Sequence, residues 1–250
     1  MEQKAGTSYS HTADFVYIDS ALKARWGNYV ELVNEFEAFT PKPASDFSDY
    51  RTSELNRLKV LNPGASEESL LNLIDGQIEM MADPGKQVSM KFSDPIMSEY
   101  VTVAFLAHAL AEAAINTILA IGLAKKDAEE IFPLLERADI KEKWVVGPKA
   151  FHPAYSLSKE SLLYQTLHHL TRQRNVFVHY KIELEMDGKK KLNGSQPERG
   201  SMTTQLKWIH RFLSLPYDLA SHARRQMPLS APFILYDSKP IERFPGHIVV

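Results

Sequence analysis

YVTVAFLAHALAEAAINTILAIGLA, residues 100–124, is long and apolar enough to cross a bilayer, and the fold class turns on how it is read. Three polar side chains interrupt it: His108, Glu112 and Asn116. They recur every fourth residue and so align on one face of a helix. A carboxylate at the centre of a membrane span is costly, whereas a buried bundle helix can turn such a stripe toward a polar neighbour. The stretch therefore reads as the central helix of a soluble, mainly all-α protein, with no membrane as partner.

The flanking text supports a helical reading. Ile18 to Phe39 carries Leu22, Trp26, Tyr29, Leu32, Val33 and Phe36 at helical spacing and ends at Thr40-Pro41-Lys42-Pro43. Ser66 to Ala82 reads as a second helix, with Ser66 as N-cap and Asp83-Pro84-Gly85 as its stop. Pro43 to Pro63, between them, is polar and reads as a loop with one helical turn. The central helix is expected over Ser98 to Leu123 and a shorter one around Asp127 to Ala138. Lys141 to Tyr155, punctuated by Gly147-Pro148 and His152-Pro153, reads as a connection with little regular structure.

Ser156 or Ser158 then caps a helix with Leu163, Leu167, Leu170 and Phe177 on one stripe, and Arg174 falls within that stripe. A guanidinium on a core face needs a partner, and Glu112 on the central helix is the best candidate. Beyond His179 the period changes. Lys181 to Met186 alternates, Asp187-Gly188 is a two-residue turn signal and Lys189 to Leu192 returns, which predicts a small β-hairpin. Met202 to Gln226 reads as the last helix, with Leu206, Ile209, Phe212 and Leu213 apolar and Pro216 bending or splitting it. This organises the chain as an N-terminal helical extension packed on the core (residues 1–95), a helical domain with the hairpin inserted (96–227) and an extended tail (228–250).

Composition narrows the function. In 250 residues, 44% hydrophobic content is ordinary for a globular chain. The absence of cysteine removes disulfides and thiolate metal sites and fits a reducing compartment. MEQKAGTSYSHTADF has no basic segment leading into an apolar one, so no secretory signal is read and a cytoplasmic location is expected. The net charge of −2 is unevenly spread. Residues 1–171 carry 16 Lys+Arg against 24 Asp+Glu, while residues 172–211 carry 9 against 4. A basic segment on an acidic body suits a local polyanion contact, although the Lys189-Lys190-Lys191 run also fits a plain solvated turn. No Gly-rich phosphate loop and no Gly-x-Ser-x-Gly elbow is present, which disfavours ATP, dinucleotide and serine-hydrolase chemistry. His168 and His169, as helical neighbours, diverge. His108 and Glu112 are half of a helical metal motif without a further placed ligand, so no metal and no other cofactor is expected.

Arg174-Asn175-Val176-Phe177-Val178-His179 places a permanent cation, an amide and an imidazole within one and a half helical turns. Arginine holds phosphate bidentately, and an imidazole near pKa ~6.5 can give or take a proton at neutral pH. Asn175 and His179 share a face, whereas Arg174 lies about 100° from Asn175. Arg174 and His179 therefore meet one phosphate if the helix frays at His179 or if a second copy of the chain contributes. Each residue also has a structural reading: Arg174 as half of an ion pair with Glu112, Asn175 as a helix-end residue, His179 as a helix-terminal imidazole favoured by the dipole.

From about Ser98 to Lys181, a third of the chain, the sequence resembles the HEPN superfamily. The long apolar helix with a mid-helix acid, Glu112 in HALAEAAIN, is followed by a variable connection and a helix ending in the Arg-Asn-x-x-x-His pattern, here RNVFVHYK. The resemblance implies a helical bundle that pairs two copies of the motif in one cleft. It also implies a metal-independent endoribonuclease of toxin, antiphage or RNA-processing type, or else a non-catalytic nucleotide-, RNA- or partner-binding module. Carried onto this chain, His179 is the acid/base, Arg174 binds the scissile phosphate, Asn175 orients either, and Glu112 supports Arg174. Arg172, Tyr180, Lys181, Lys189, Lys190 and Lys191 are the accompanying substrate-binding candidates. The partners to expect are RNA or nucleotide, a second copy of the chain and an antitoxin or regulatory protein.

Overall fold

The structure, a computed structural model, describes residues 12–178, 185–186, 189–190 and 201–227. These residues are almost wholly helical: α1 (Thr12–Ala38), α2 (Ser48–Leu61), α3 (Glu67–Ala82), α4 (Pro84–Ala124), α5 (Phe132–Glu136), α6 (Ile140–Val145), α7 (Leu162–Val178) and α8 (Met202–Gln226). Two strands of two residues each, β1 (Glu185–Met186) and β2 (Lys189–Lys190), pair antiparallel, with Glu185 opposite Lys190 and Met186 opposite Lys189. The turn residues Asp187 and Gly188 and the tail from Pro228 lie outside the described residues. The chain divides into two compact units, Met1–Tyr29 with Glu99–Val250, and Val30–Ser98.

In the unit Val30–Ser98, Leu58 of α2 and Leu70, Ile74 and Ile78 of α3 form a small core with Phe47, Tyr50, Leu55 and Met81 against it. The stretch expected as a loop with one turn is thus a 3-10 turn (Ala44–Phe47) followed by the 14-residue α2. Leu58 is its one buried residue while Val60 and Leu61 are exposed, so its apolar residues do not gather on one buried stripe. Docking on α3 supplies what periodicity does not. Arg51 of α2 holds Asp75 of α3 through Nε at 2.7 Å and Nη2 at 2.9 Å, and the Tyr50 hydroxyl donates to Gln77 Oε1 at 3.0 Å.

Ser66 caps α3 as expected, its Oγ accepting from the Ser69 N–H at 3.2 Å. Asp83-Pro84-Gly85 ends α3 but also starts α4. Asp83 Oδ1 accepts from the Lys86 N–H at 2.7 Å, and Pro84 occupies the first turn, where its missing donor costs nothing. α4 therefore begins at Pro84 rather than Ser98 and runs through Pro95. Phe92 and Ile96, both buried on either side of that proline, offset the lost hydrogen bond. The rings of Phe36 and Phe39 pack edge-on against Phe92 at 5.2 and 5.4 Å.

In the other unit, Val103, Ala107, Leu110, Ala111, Ala114, Ile115 and Ile118 of α4 are fully buried. Among the described residues α4 is the helix long and apolar enough to cross a membrane by length and composition. Against it lies the segment expected to be irregular, which is helical: α6 and a 3-10 turn, Gly147–Ala150. The Trp144 indole N–H donates to the Ala111 carbonyl at 3.2 Å. A Cβ on Gly147 would sit 2.7 Å from Leu119, and one on Gly122 would sit 2.4 Å from the Phe151 ring. These two glycines permit the close approach. The helix expected over Asp127 to Ala138 is shorter, a 3-10 turn (Glu129–Ile131) running into α5.

α7 is capped by Ser161, whose Oγ accepts from the Tyr164 N–H at 3.2 Å, rather than by Ser156 or Ser158. α8 has the expected bounds and continues through a buried Pro216. Tyr217 of α8 donates to Asp19 Oδ1 of α1 at 2.7 Å, and Lys23 also holds the Asp19 carboxylate.

Candidate functional site

Helix α7 carries Arg174 half-buried and Asn175 exposed. The core-facing position beside them belongs to Gln173, which is 1% exposed and whose Oε1 is buried without a hydrogen-bond partner. Arg174 Nη1 donates to Asn175 Oδ1 at 3.1 Å, so the amide holds the guanidinium in place.

Glu112 does not pair with Arg174. Its Oε1 accepts from Lys143 Nζ of α6 at 2.8 Å. The Lys143 side chain is wholly buried while that of Glu112 is 39% exposed, so the lysine is the member that needs the pair. Arg174 escapes this partnership because Gln173 takes the inward position and leaves the arginine at the edge of the helix–helix contact. Among the described residues Arg174 makes no salt bridge.

His108, one turn before Glu112, places Nδ1 3.9 Å from Glu112 Oε2. Burial holds its imidazole below the ordinary range. Glu112 and Asp139 pull the other way, and the Arg174 and Lys143 cations lower it further. The imidazole is thus favoured in its neutral form, and its contact with Glu112 is one of charge with dipole. α4 thereby contributes His108 and Glu112, α6 contributes Lys143 with Asp139 as its N-cap, and α7 contributes Arg174, near enough for its charge to act on His108. Among the described residues no group of three His, Asp or Glu side chains is placed to hold a metal ion.

An open cleft of about 620 Å³ adjoins Lys143, lined among others by Leu135, Asp139, Lys141, Lys159 and Tyr164. Lys143 and Asp139 escaped sequence reasoning. The available signal was the spacing Ile140, Lys143, Trp144, which puts the lysine on the apolar face of a short helix.

Of the remaining candidates, Arg172 is exposed on α7, and Lys189 and Lys190 form β2. His179, Tyr180, Lys181 and Lys191 lie outside the described residues. His168 is exposed, while His169 stacks on Trp208 at 3.8 Å with its Nε2 3.3 Å from the Tyr100 hydroxyl. Chemically, the cluster offers a cation outside any salt bridge among these residues, an amide that orients it and an acid already neutralised by a lysine. That set suits holding a phosphate. Comparison with protein-family models, with curated proteins and with solved structures finds no match for this chain.

Proposed function

We propose that this protein is a HEPN-like, metal-independent endoribonuclease that cleaves RNA by attack of the 2′-hydroxyl on the adjacent phosphate. The observation that carries the reading is the state of Arg174. It is half-exposed and steadied by Asn175, while Lys143 engages the carboxylate that would otherwise neutralise it. A guanidinium so placed can take two phosphate oxygens and stabilise the charge that builds in the phosphorane. His179, just beyond the described end of α7, supplies the acid/base. The 2′-oxygen loses its proton and bonds to phosphorus, the bond from phosphorus to the 5′-oxygen breaks, and that oxygen is protonated. In a homodimer two copies of His179 divide these proton transfers, and Arg174 and His179 from different copies meet at one phosphate.

RNA incubated in EDTA tests the reading. The expected products end in 2′,3′-cyclic phosphate. Arg174→Ala and His179→Ala each abolish cleavage, and RNA with 2′-deoxy at the cut position survives. Cleavage that needs Mg²⁺, accepts DNA or persists without His179 would overturn the mechanism. The second reading is a non-catalytic HEPN-like module for nucleotide, RNA or a partner protein. It needs only the phosphate-holding half of the site, Arg174 with Asn175, and gains if RNA binds but is never cut.

A further inference from the structure

We propose that the face of α8 around Lys207, Trp208 and Arg211 holds the backbone of single-stranded RNA and leads it to Arg174. The proposal rests on the RNA-acting reading above. The last two turns of α7 and the first three turns of α8 carry Arg172, Arg174, Lys207 and Arg211 and no acid. The body that bears them is acidic, because residues 1–171 hold eight more acidic than basic side chains. A basic surface on an acidic protein localises a polyanion instead of coating the molecule with it.

The second observation is a column of stacked groups. The Arg211 guanidinium lies 4.9 Å over the Trp208 ring. The Trp208 ring stacks on His169 at 3.8 Å, with the planes 20° apart. His169 Nε2 is 3.3 Å from the Tyr100 hydroxyl, and Tyr100 is buried between Phe212, stacked at 5.7 Å, and Phe177, edge-on at 5.8 Å. Arg211 is therefore an exposed cation standing on a foundation that reaches the core. Ordering it in advance reduces the freedom lost when a ligand binds.

Among the described residues neither Lys207 nor Arg211 makes a salt bridge, so both charges are available. Trp208 is already engaged by His169 and Arg211, so the exposed Arg211 guanidinium is the group offered to a base. Stacking of that kind needs an unpaired base, which a duplex does not present, so the ligand is single-stranded and bound with little sequence preference. His169 precedes Arg174 by five residues, about 7.5 Å along the α7 axis and about 140° around it, so a strand resting on Arg211 reaches Arg174 by bending part-way around α7.

The test uses the full chain and a short fluorescein-labelled single-stranded RNA with 2′-fluoro sugars, which cannot be cut by 2′-hydroxyl attack. Binding is followed by anisotropy across a salt series. Lys207→Gln/Arg211→Gln is expected to weaken binding on the order of tenfold at low salt and to flatten the log–log salt slope by about 1.4, two phosphate contacts on a single strand. Arg211→Lys keeps the charge but loses the planar stack, and is expected to weaken binding several-fold. Arg224→Gln/Arg225→Gln makes the same charge change at the other end of α8 and is expected to leave binding within about twofold.

Equal losses in the two double variants would overturn the proposal, as would full affinity in Arg211→Lys. So would wild-type protein that fails to bind, or that binds duplex RNA or poly-glutamate as tightly as the single strand. Unmodified RNA separates this surface from the cleavage reading. Strand binding that depends on Lys207 and Arg211 without any cleavage supports the surface and removes the nuclease. Cleavage with unchanged binding in Lys207→Gln/Arg211→Gln keeps the nuclease and removes the surface.

Discussion

Removing the Glu112 carboxylate should be far more damaging than removing the lysine it pairs with. The asymmetry comes from burial: Lys143 has no solvent-accessible side-chain surface, whereas Glu112 is 39% exposed. Glu112→Ala leaves an ammonium in the interior with no counter-charge, a loss of about 3 to 5 kcal/mol by the general cost of breaking such a pair. Lys143→Met fills similar volume without a charge and leaves Glu112 partly in water, so its effect should stay within about 1 kcal/mol in either direction. The double variant should then recover most of what Glu112→Ala loses. Urea midpoints at pH 7 measure all of this. A Glu112→Ala loss below about 1 kcal/mol would refute the pairing, and so would a Lys143→Met variant less stable than Glu112→Ala.

Two further outcomes follow from single contacts. Gly122→Ala should lower the melting temperature, because the new methyl would meet the rigid Phe151 ring at 2.4 Å and overpacking costs about 1 to 3 kcal/mol, more than the helix-propensity gain; a rise on thermal melting would contradict the packing of Phe151. His108 and His210 are both held below the ordinary imidazole range, each by burial first. The unfolded chain therefore binds their protons first as pH falls, so the stability they contribute is intact above ~6.5 and is lost as pH drops from there through their folded-state values. His108 faces Glu112, Asp139, Arg174 and Lys143, and His210 faces Arg211 and Asp218 beside the Trp26 and Tyr29 rings. Glu99, raised by burial, acts in the opposite sense at lower pH, so the check is whether His108→Asn and His210→Asn flatten the slope of denaturation midpoint against pH. A slope unchanged in both variants would sink the assignment.

The helices with strong periodicity or a local punctuating residue were legible in the sequence. Ser66 as a cap, the Asp83-Pro84 break, the apolar stripe of α4 and the full span of α8 each announce themselves within a few residues. What was missed depended on distant partners. α2 fully buries only Leu58 and leaves Val60 and Leu61 exposed, so its docking on α3 rather than its own period makes it a helix. α6 lies just before Gly147-Pro148 and is too short for its period to show; Trp144 and Lys143 hold it by bonding to Ala111 and Glu112 on another element. Three serines precede α7, each hydrogen-bonded in its own way, and local chemistry does not choose among them. The acid of the site was visible as Glu112, but its partner was not. A lysine reads as a surface residue, and an arginine on an apolar stripe reads as the needier cation. A shift of one helical position, putting Gln173 rather than Arg174 inward, reverses that choice.

The contacts of Trp208 with His169 and Arg211 also give this protein a built-in optical reporter. Its three tryptophans sit in unlike surroundings. Trp144 is dry and bonded to a backbone carbonyl, Trp26 lies beside Tyr29 and His210, and Trp208 is half-buried against an imidazole. The emission of Trp208 should respond to whatever displaces the groups against its ring, while that of Trp144 stays blue-shifted and steady. A ligand that pulls Arg211 off the ring would register in the same signal, in unlabelled protein and in real time.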